Sequence, residues 1–142
     1  MQQAEHHLVA AGWREGRHVG NETGVAALRS EGYDLWDEVG AFLTEFSGLR
    51  IKVRDRQPMI IDAAEAVEVT FRSWVDAWSE RAGTDLVPVG VYSEMTVLLG
   101  RDGWLYGGVD FEFGRLGSTL NEVIVNVLIP QHPKRLDMPL RS

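Results

Sequence analysis

Residues Asp102-Gly103 sit between two β-rich runs, "TVLLG" before and "WLYGG" after. An Asp-Gly pair flanked by apolar strands is the strongest short hairpin signal a sequence offers. Glycine reaches positive φ at no steric cost and aspartate tolerates it. A two-residue turn would set Arg101 opposite Trp104; a three-residue loop with a bulge at Gly103 is the other solution. Either makes the two runs antiparallel neighbours and constrains the rest of the chain to fold around an antiparallel sheet.

The same stretch is glycine-rich and raises the question of a phosphate loop. No Gly-Lys pair exists, so a P-loop is excluded. The gap between Gly100 and Gly103 does not fit the dinucleotide fingerprint, and Gly107-Gly108 lead into strand-like residues rather than a helix. These two glycines are read as a bulge or bend.

Helical spacing and caps supply the remaining elements. Helices are expected over 2–11, over "ETGVAALRSEG" to a stop at Gly32, and over 35–47 to a stop at Gly48. "RIKVRD" alternates as a strand does, and "MIID" follows as a second short strand. Asp62-x-x-Glu65 opens a helix whose stripe Val67, Phe71, Trp74, Val75 and Trp78 predicts one continuous element to Gly83. "LVPVGVYSE", "MTVLLG" and "WLYGGVDFEF" read as three strands, and Thr119-x-x-Glu122 caps a last helix. This order is not a repeating βαβ. It predicts an α+β fold, with helices packed on one mainly antiparallel twisted sheet of about five or six strands. The 142 residues fit a single domain over 1–130, and the Pro-containing segment 131–142 reads as a loosely ordered tail.

The chemistry a chain like this can carry is narrow. There is no cysteine, so thiolate metal sites and thiol nucleophiles are excluded. His6 and His7 are adjacent and point about 100° apart on a helix, so they do not chelate; no H-E-x-x-H is present, and no metal site is expected. No serine lies in G-x-S-x-G. Asp110 and Glu112, two apart on the expected strand, share a face and resemble a glycosidase carboxylate pair in spacing alone. The alternating Phe111 and Phe113 favour a solvated face instead. No catalytic residue and no cofactor are expected. The opening "MQQAEHHLVAAGW" lacks the basic and apolar regions of a secretory signal, and no apolar run approaches the ~20 residues of a membrane span, so a cytoplasmic location is expected.

Charge and aromatics point to a protein partner. Net charge is −7, which disfavours nucleic acid and favours a basic protein. Between Glu31 and Glu45 the chain carries five acids and no lysine or arginine, with Tyr33 and Trp36 among them. Glu94, Asp102, Asp110 and Glu112 form a second acidic set around the hairpin. If the two sets adjoin, Tyr33, Asp34, Trp36, Asp37, Glu38, Glu94, Asp110 and Glu112 make an acidic surface with aromatic anchors. The competing reading places Trp36 in the core and leaves the acids merely solvated.

Four segments resemble one family when taken together. "AGWREGR" (11–17), "AFLTEFSGLRI" (41–51), "TDLVPVG" (84–90) and "LLGRDGWLYG" with its following turn and closing helix are similar, in order, to segments of the third subgroup of SUKH immunity proteins. The likeness spans roughly 10–128. Departures are Ser47, where the family more often has glycine, and the extension after Pro130. The resemblance implies a bacterial antidote encoded beside a secreted polymorphic toxin. It would bind that toxin's C-terminal domain, often a basic nuclease or nucleic-acid deaminase, and occlude it. The wider superfamily also resembles non-catalytic adaptors, which is the second implied role.

Overall fold

The computed structural model describes residues 2–129; the expected tail at 131–142 lies outside the described residues. In chain order the helices are α1 (Gln2–Ala10), α2 (Glu22–Ser30), α3 (Asp37–Phe46), α4 (Ala63–Val69), α5 (Arg72–Ala82) and α6 (Leu120–Val123), the last running on as a π-helical turn over Ile124–Leu128. The strands are β1 (Arg50–Ile51), β2 (Met59–Ile61), β3 (Leu86–Tyr92), β4 (Met95–Gly100), β5 (Leu105–Val109) and β6 (Glu112–Gly117). They form one six-stranded sheet in the order β1-β2-β3-β4-β5-β6, every neighbour antiparallel. The α+β expectation holds.

The Asp102-Gly103 turn resolves as the three-residue loop. Gly103 N–H donates to the Gly100 carbonyl (2.9 Å), Gly100 N–H donates to the Trp104 carbonyl (2.8 Å), and Leu99 stands opposite Leu105. Gly103 takes φ +91°, the left-handed position this loop requires. Asp102 finishes the turn. Its carboxylate accepts from Trp104 N–H (3.1 Å) and from the Tyr106 hydroxyl (2.6 Å).

Three expectations are corrected. The helix from Asp62 to Gly83 is two helices. Thr70 and Phe71 are both extended, at φ/ψ −130°/160° and −107°/142°. Val67, Val69 and Thr70 put three β-branched residues into four positions, which weakens helix propensity there. The joint turns Phe71 outward, to 69% exposure, while Val75 and Trp78 stay buried. Secondly, "WLYGGVDFEF" is not one strand. It folds back at Asp110-Phe111, with Val109 opposite Glu112 and Asp110 at φ +51°. Thirdly, Gly107 and Gly108 are regular β5 residues, not a bulge; the register shift falls at Leu105/Tyr106. β1 is also shorter than "RIKVRD" suggested, although Ile51 and Val53 are both buried as the alternation required.

The core explains the consecutive apolar residues of the central strands. Leu86–Gly90, Thr96–Gly100 and Leu105–Gly108 are buried without alternation, which means that both faces of the sheet are covered there. One face carries α5, with Trp78 against Gly108 and Phe113 stacked on both Trp78 (6.1 Å) and Tyr106 (5.3 Å). Leu8, Leu43, Val123, Ile124 and Leu128 from the other helices join the same core. The two expected caps are present: Asp62 accepts from Glu65 N–H (3.0 Å) and Thr119 from Glu122 N–H (3.1 Å).

Candidate interaction surface

The chain segment linking α2 to α3 positions the first group of predicted residues. Tyr33 and Asp34 follow Gly32, Trp36 precedes α3, and Asp37 and Glu38 occupy its first turn, where the helix dipole favours negative charge. Tyr33 is 8% exposed, with the Arg72 guanidinium 4.3 Å above its ring centroid. Burial pushes the Tyr33 phenol up to about 12, against the pull of Arg72 in the other direction. Arg72 also pairs with Asp76 (3.0 Å) and donates to the Glu31 carbonyl (2.7 Å). Trp36 is half-buried under Arg101, whose guanidinium lies 4.5 Å from the ring centroid and pairs with Asp85 (3.1 Å). Both aromatics at this end are therefore covered by the protein's own arginines.

The second group lies at the β3–β4 and β5–β6 turns, at the far end of β4 from Trp36 and the Asp102 hairpin. Glu94 sits in the β3–β4 turn beside Ser93, which takes φ +56°, while Asp110 and Glu112 flank the β5–β6 turn. The six residues of β4, at about 3.3 Å each, hold Glu94 roughly 20 Å from the Asp102 hairpin. The structure thus brings Glu94 and Asp110 together at one groove, with Glu112 beside them across the β5–β6 turn, and ties Trp36 to Arg101 by the Asp102 hairpin at the far end of β4. Asp110 and Glu112 do not share a strand face, since the turn runs between them. Asp102 belongs to the other end and is bound into its own turn.

Around Glu94 and Asp110 is a groove of about 100 Å³ that the sequence did not reveal. Val69, Phe71 and Trp74 wall it, Trp78, Thr96 and Gly108 form its floor, and Glu94 and Asp110 stand at its lip. Phe111 lies beside it, edge-on to Trp74 at 5.4 Å and 83% exposed. Phe71 and Phe111 read in sequence as buried members of stripes. The available signal was the β-branched run "VEVT" ahead of Phe71, and an aspartate able to take positive φ ahead of Phe111. Among the described residues no three histidine, aspartate or glutamate side chains gather as a metal site.

A family model described as SUKH-3 immunity protein matches residues 1–129. The chain belongs to the SUKH-3 immunity protein family. No curated protein and no solved structure matches it. Membership gives the chain an immunity-protein role. The "AGWREGR" and "TDLVPVG" segments have structural roles in this SUKH-3 protein. Trp13 donates to the Glu45 carboxylate (3.1 Å), and Arg17 donates to the Glu45 and Ser47 carbonyls (2.6 and 2.8 Å), capping the end of α3. At Gly90 a Cβ would come within 2.6 Å of the Ile60 carbonyl, so the β2–β3 approach excludes any side chain. No helix among the described residues is long and apolar enough to cross a membrane.

Proposed function

We propose that this immunity protein neutralises a basic toxin domain, a nuclease or nucleic-acid deaminase, by covering its active or substrate-binding surface. It breaks no bond itself. The residues offered to the partner are the exposed Asp34, Asp37 and Glu38, with Glu94, Asp110 and Glu112; Tyr33 and Trp36, buried and half-buried under arginines, support that surface instead of anchoring the partner. The reading places the encounter in the cytoplasm of the cell that makes both proteins.

One observation carries this reading. All six acids in that set are exposed, and among the described residues none takes part in an ion pair. The two ion pairs among the described residues use Asp76 and Asp85 instead. Among the described residues these carboxylates therefore stand exposed without a salt-bridge partner. Such a surface raises the association rate with a basic protein, steeply so at low salt. Covering a nucleic-acid cleft also places carboxylates where phosphates would bind.

The test is binding kinetics against the toxin domain encoded beside this chain, with protection of cells expressing that domain as a second readout. Asp34→Lys with Glu38→Lys is expected to slow association about tenfold at low salt and to flatten its salt dependence. An unchanged association rate refutes the electrostatic part of the reading, and failure of the wild-type chain to bind or protect refutes the whole.

A further inference from the structure

The geometry points to the groove between the α4–α5 joint and the β3–β4 and β5–β6 turns as the anchor of that contact. It takes an apolar side chain from a partner surface that is otherwise basic. This rests on the toxin-binding role proposed above and adds where the complex is held.

Four large apolar side chains stand exposed among the described residues: Val9, Val69, Phe71 and Phe111. Three of them meet at this one groove, so the exposure is concentrated rather than scattered. Singly exposed apolar residues need no explanation, whereas a contiguous patch rimmed by polar groups marks an interaction site. The groove also has a rigid base. Trp78 is 3% exposed, donates to the Asp110 carbonyl (3.2 Å) and stacks on Phe113 within 9° of parallel. Arg81 donates to the Phe111 carbonyl (2.9 Å), which fixes the turn carrying that ring. Aromatic anchors held this way lose little conformational freedom on binding.

At about 100 Å³ the groove has room for one side chain and not for a larger ligand. Its rim selects the neighbours of that side chain. Glu94 and Asp110 at the lip and Glu112 one turn position away complement lysines or arginines around an apolar centre, the usual anatomy of a hot spot inside a polar ring. Tyr33 and Trp36 are already covered by Arg72 and Arg101, so neither offers a comparable open aromatic surface.

The test uses the full chain and the toxin domain encoded beside it. Phe71→Ser and Phe111→Ser, each at an exposed side chain, are expected to raise the dissociation rate about 30-fold with association changed less than twofold. Val9→Ser, which removes exposed apolar surface on α1, is expected to change neither rate. Amide exchange on the wild-type complex, which needs no variant, is expected to slow at residues 69–74 and 108–111. Unchanged dissociation rates in both serine variants, or exchange protection confined to residues 33–38, overturns the anchor while leaving toxin binding intact. A wild-type chain that does not bind the toxin overturns both.

Discussion

Replacing Gly108 by alanine tests whether the groove is seated as described. A Cβ at Gly108 would stand 2.7 Å from Cε2 and Cζ2 of Trp78 and 2.8 Å from its Cδ2. That is about 1 Å inside ordinary carbon–carbon contact of ~3.5–4.0 Å. The indole can give way only toward the groove, at the cost of the contacts that hold it. Trp74 lies 6.0 Å to one side, Phe113 is stacked against it, and its N–H is committed to the Asp110 carbonyl. Overpacking a well-filled site costs about 1–3 kcal/mol, and disturbing the Trp78–Asp110 hydrogen bond adds about 1 kcal/mol. The expected loss is therefore roughly 3 kcal/mol, a fall in Tm of about 10 °C for a domain of this size.

Gly114→Ala supplies the comparison. Nothing lies within 4 Å of its Cβ position, and its φ is not positive. That change is expected to be neutral or to stabilise by about 0.5 kcal/mol through the unfolded chain. Thermal unfolding followed by near-ultraviolet circular dichroism reads both the stability and the indole environment. A Gly108→Ala protein within about 2 °C of wild type, with an unchanged aromatic spectrum, refutes the close approach of Gly108 to Trp78, because the added methyl would then have been accommodated without cost.

The remaining expectations concern caps and titrations. Asp62→Ala removes the acceptor for Glu65 N–H at the start of α4 and should cost about 1 kcal/mol, or about 3 °C in Tm. Tyr33 holds its proton more tightly when folded, so its stabilising contribution is complete below pH 10 and is lost as pH rises to about 12; denaturant unfolding across that window should show less alkaline loss in Tyr33→Phe. The Glu122 carboxyl lies below its usual range because the Ser118 backbone N–H and, less strongly, its hydroxyl donate to it, so Ser118→Ala, which removes only the hydroxyl, should move it part of the way back up in an NMR pH titration.

What the sequence disclosed follows the range of the physics involved. The Asp102-Gly103 turn, the Asp62 and Thr119 caps and the alternation of strands are set by a few neighbouring residues, and they were legible. The Thr70–Phe71 joint was not, because the apolar spacing from Val67 to Trp78 continues across it as if the helix did. Gly108 was misread because its reason is tertiary: the residue that needs the space, Trp78, is thirty positions away. The acids could be counted along the chain, but which of them meet, as Glu94 and Asp110 do, depends on strand register. Register likewise decides that Asp110 and Glu112 sit on a turn rather than on one strand face.

The two misread segments are also the two that build the groove, and this is more than coincidence of error. A single helix through Phe71 and a single strand through Phe111 would have carried both rings toward the core. The joint and the turn instead leave them outside. Fully burying a phenylalanine contributes about 1.5–3 kcal/mol, so the fold forgoes several kcal/mol by exposing the pair. A partner that covers the rings recovers that amount on association. At 1.4 kcal/mol per tenfold, about 2 kcal/mol for one ring corresponds to roughly 30-fold in affinity. The size expected for each serine variant follows from that recovery. It appears in dissociation because covered apolar area resists separation, whereas the exposed carboxylates act earlier, while the partners approach.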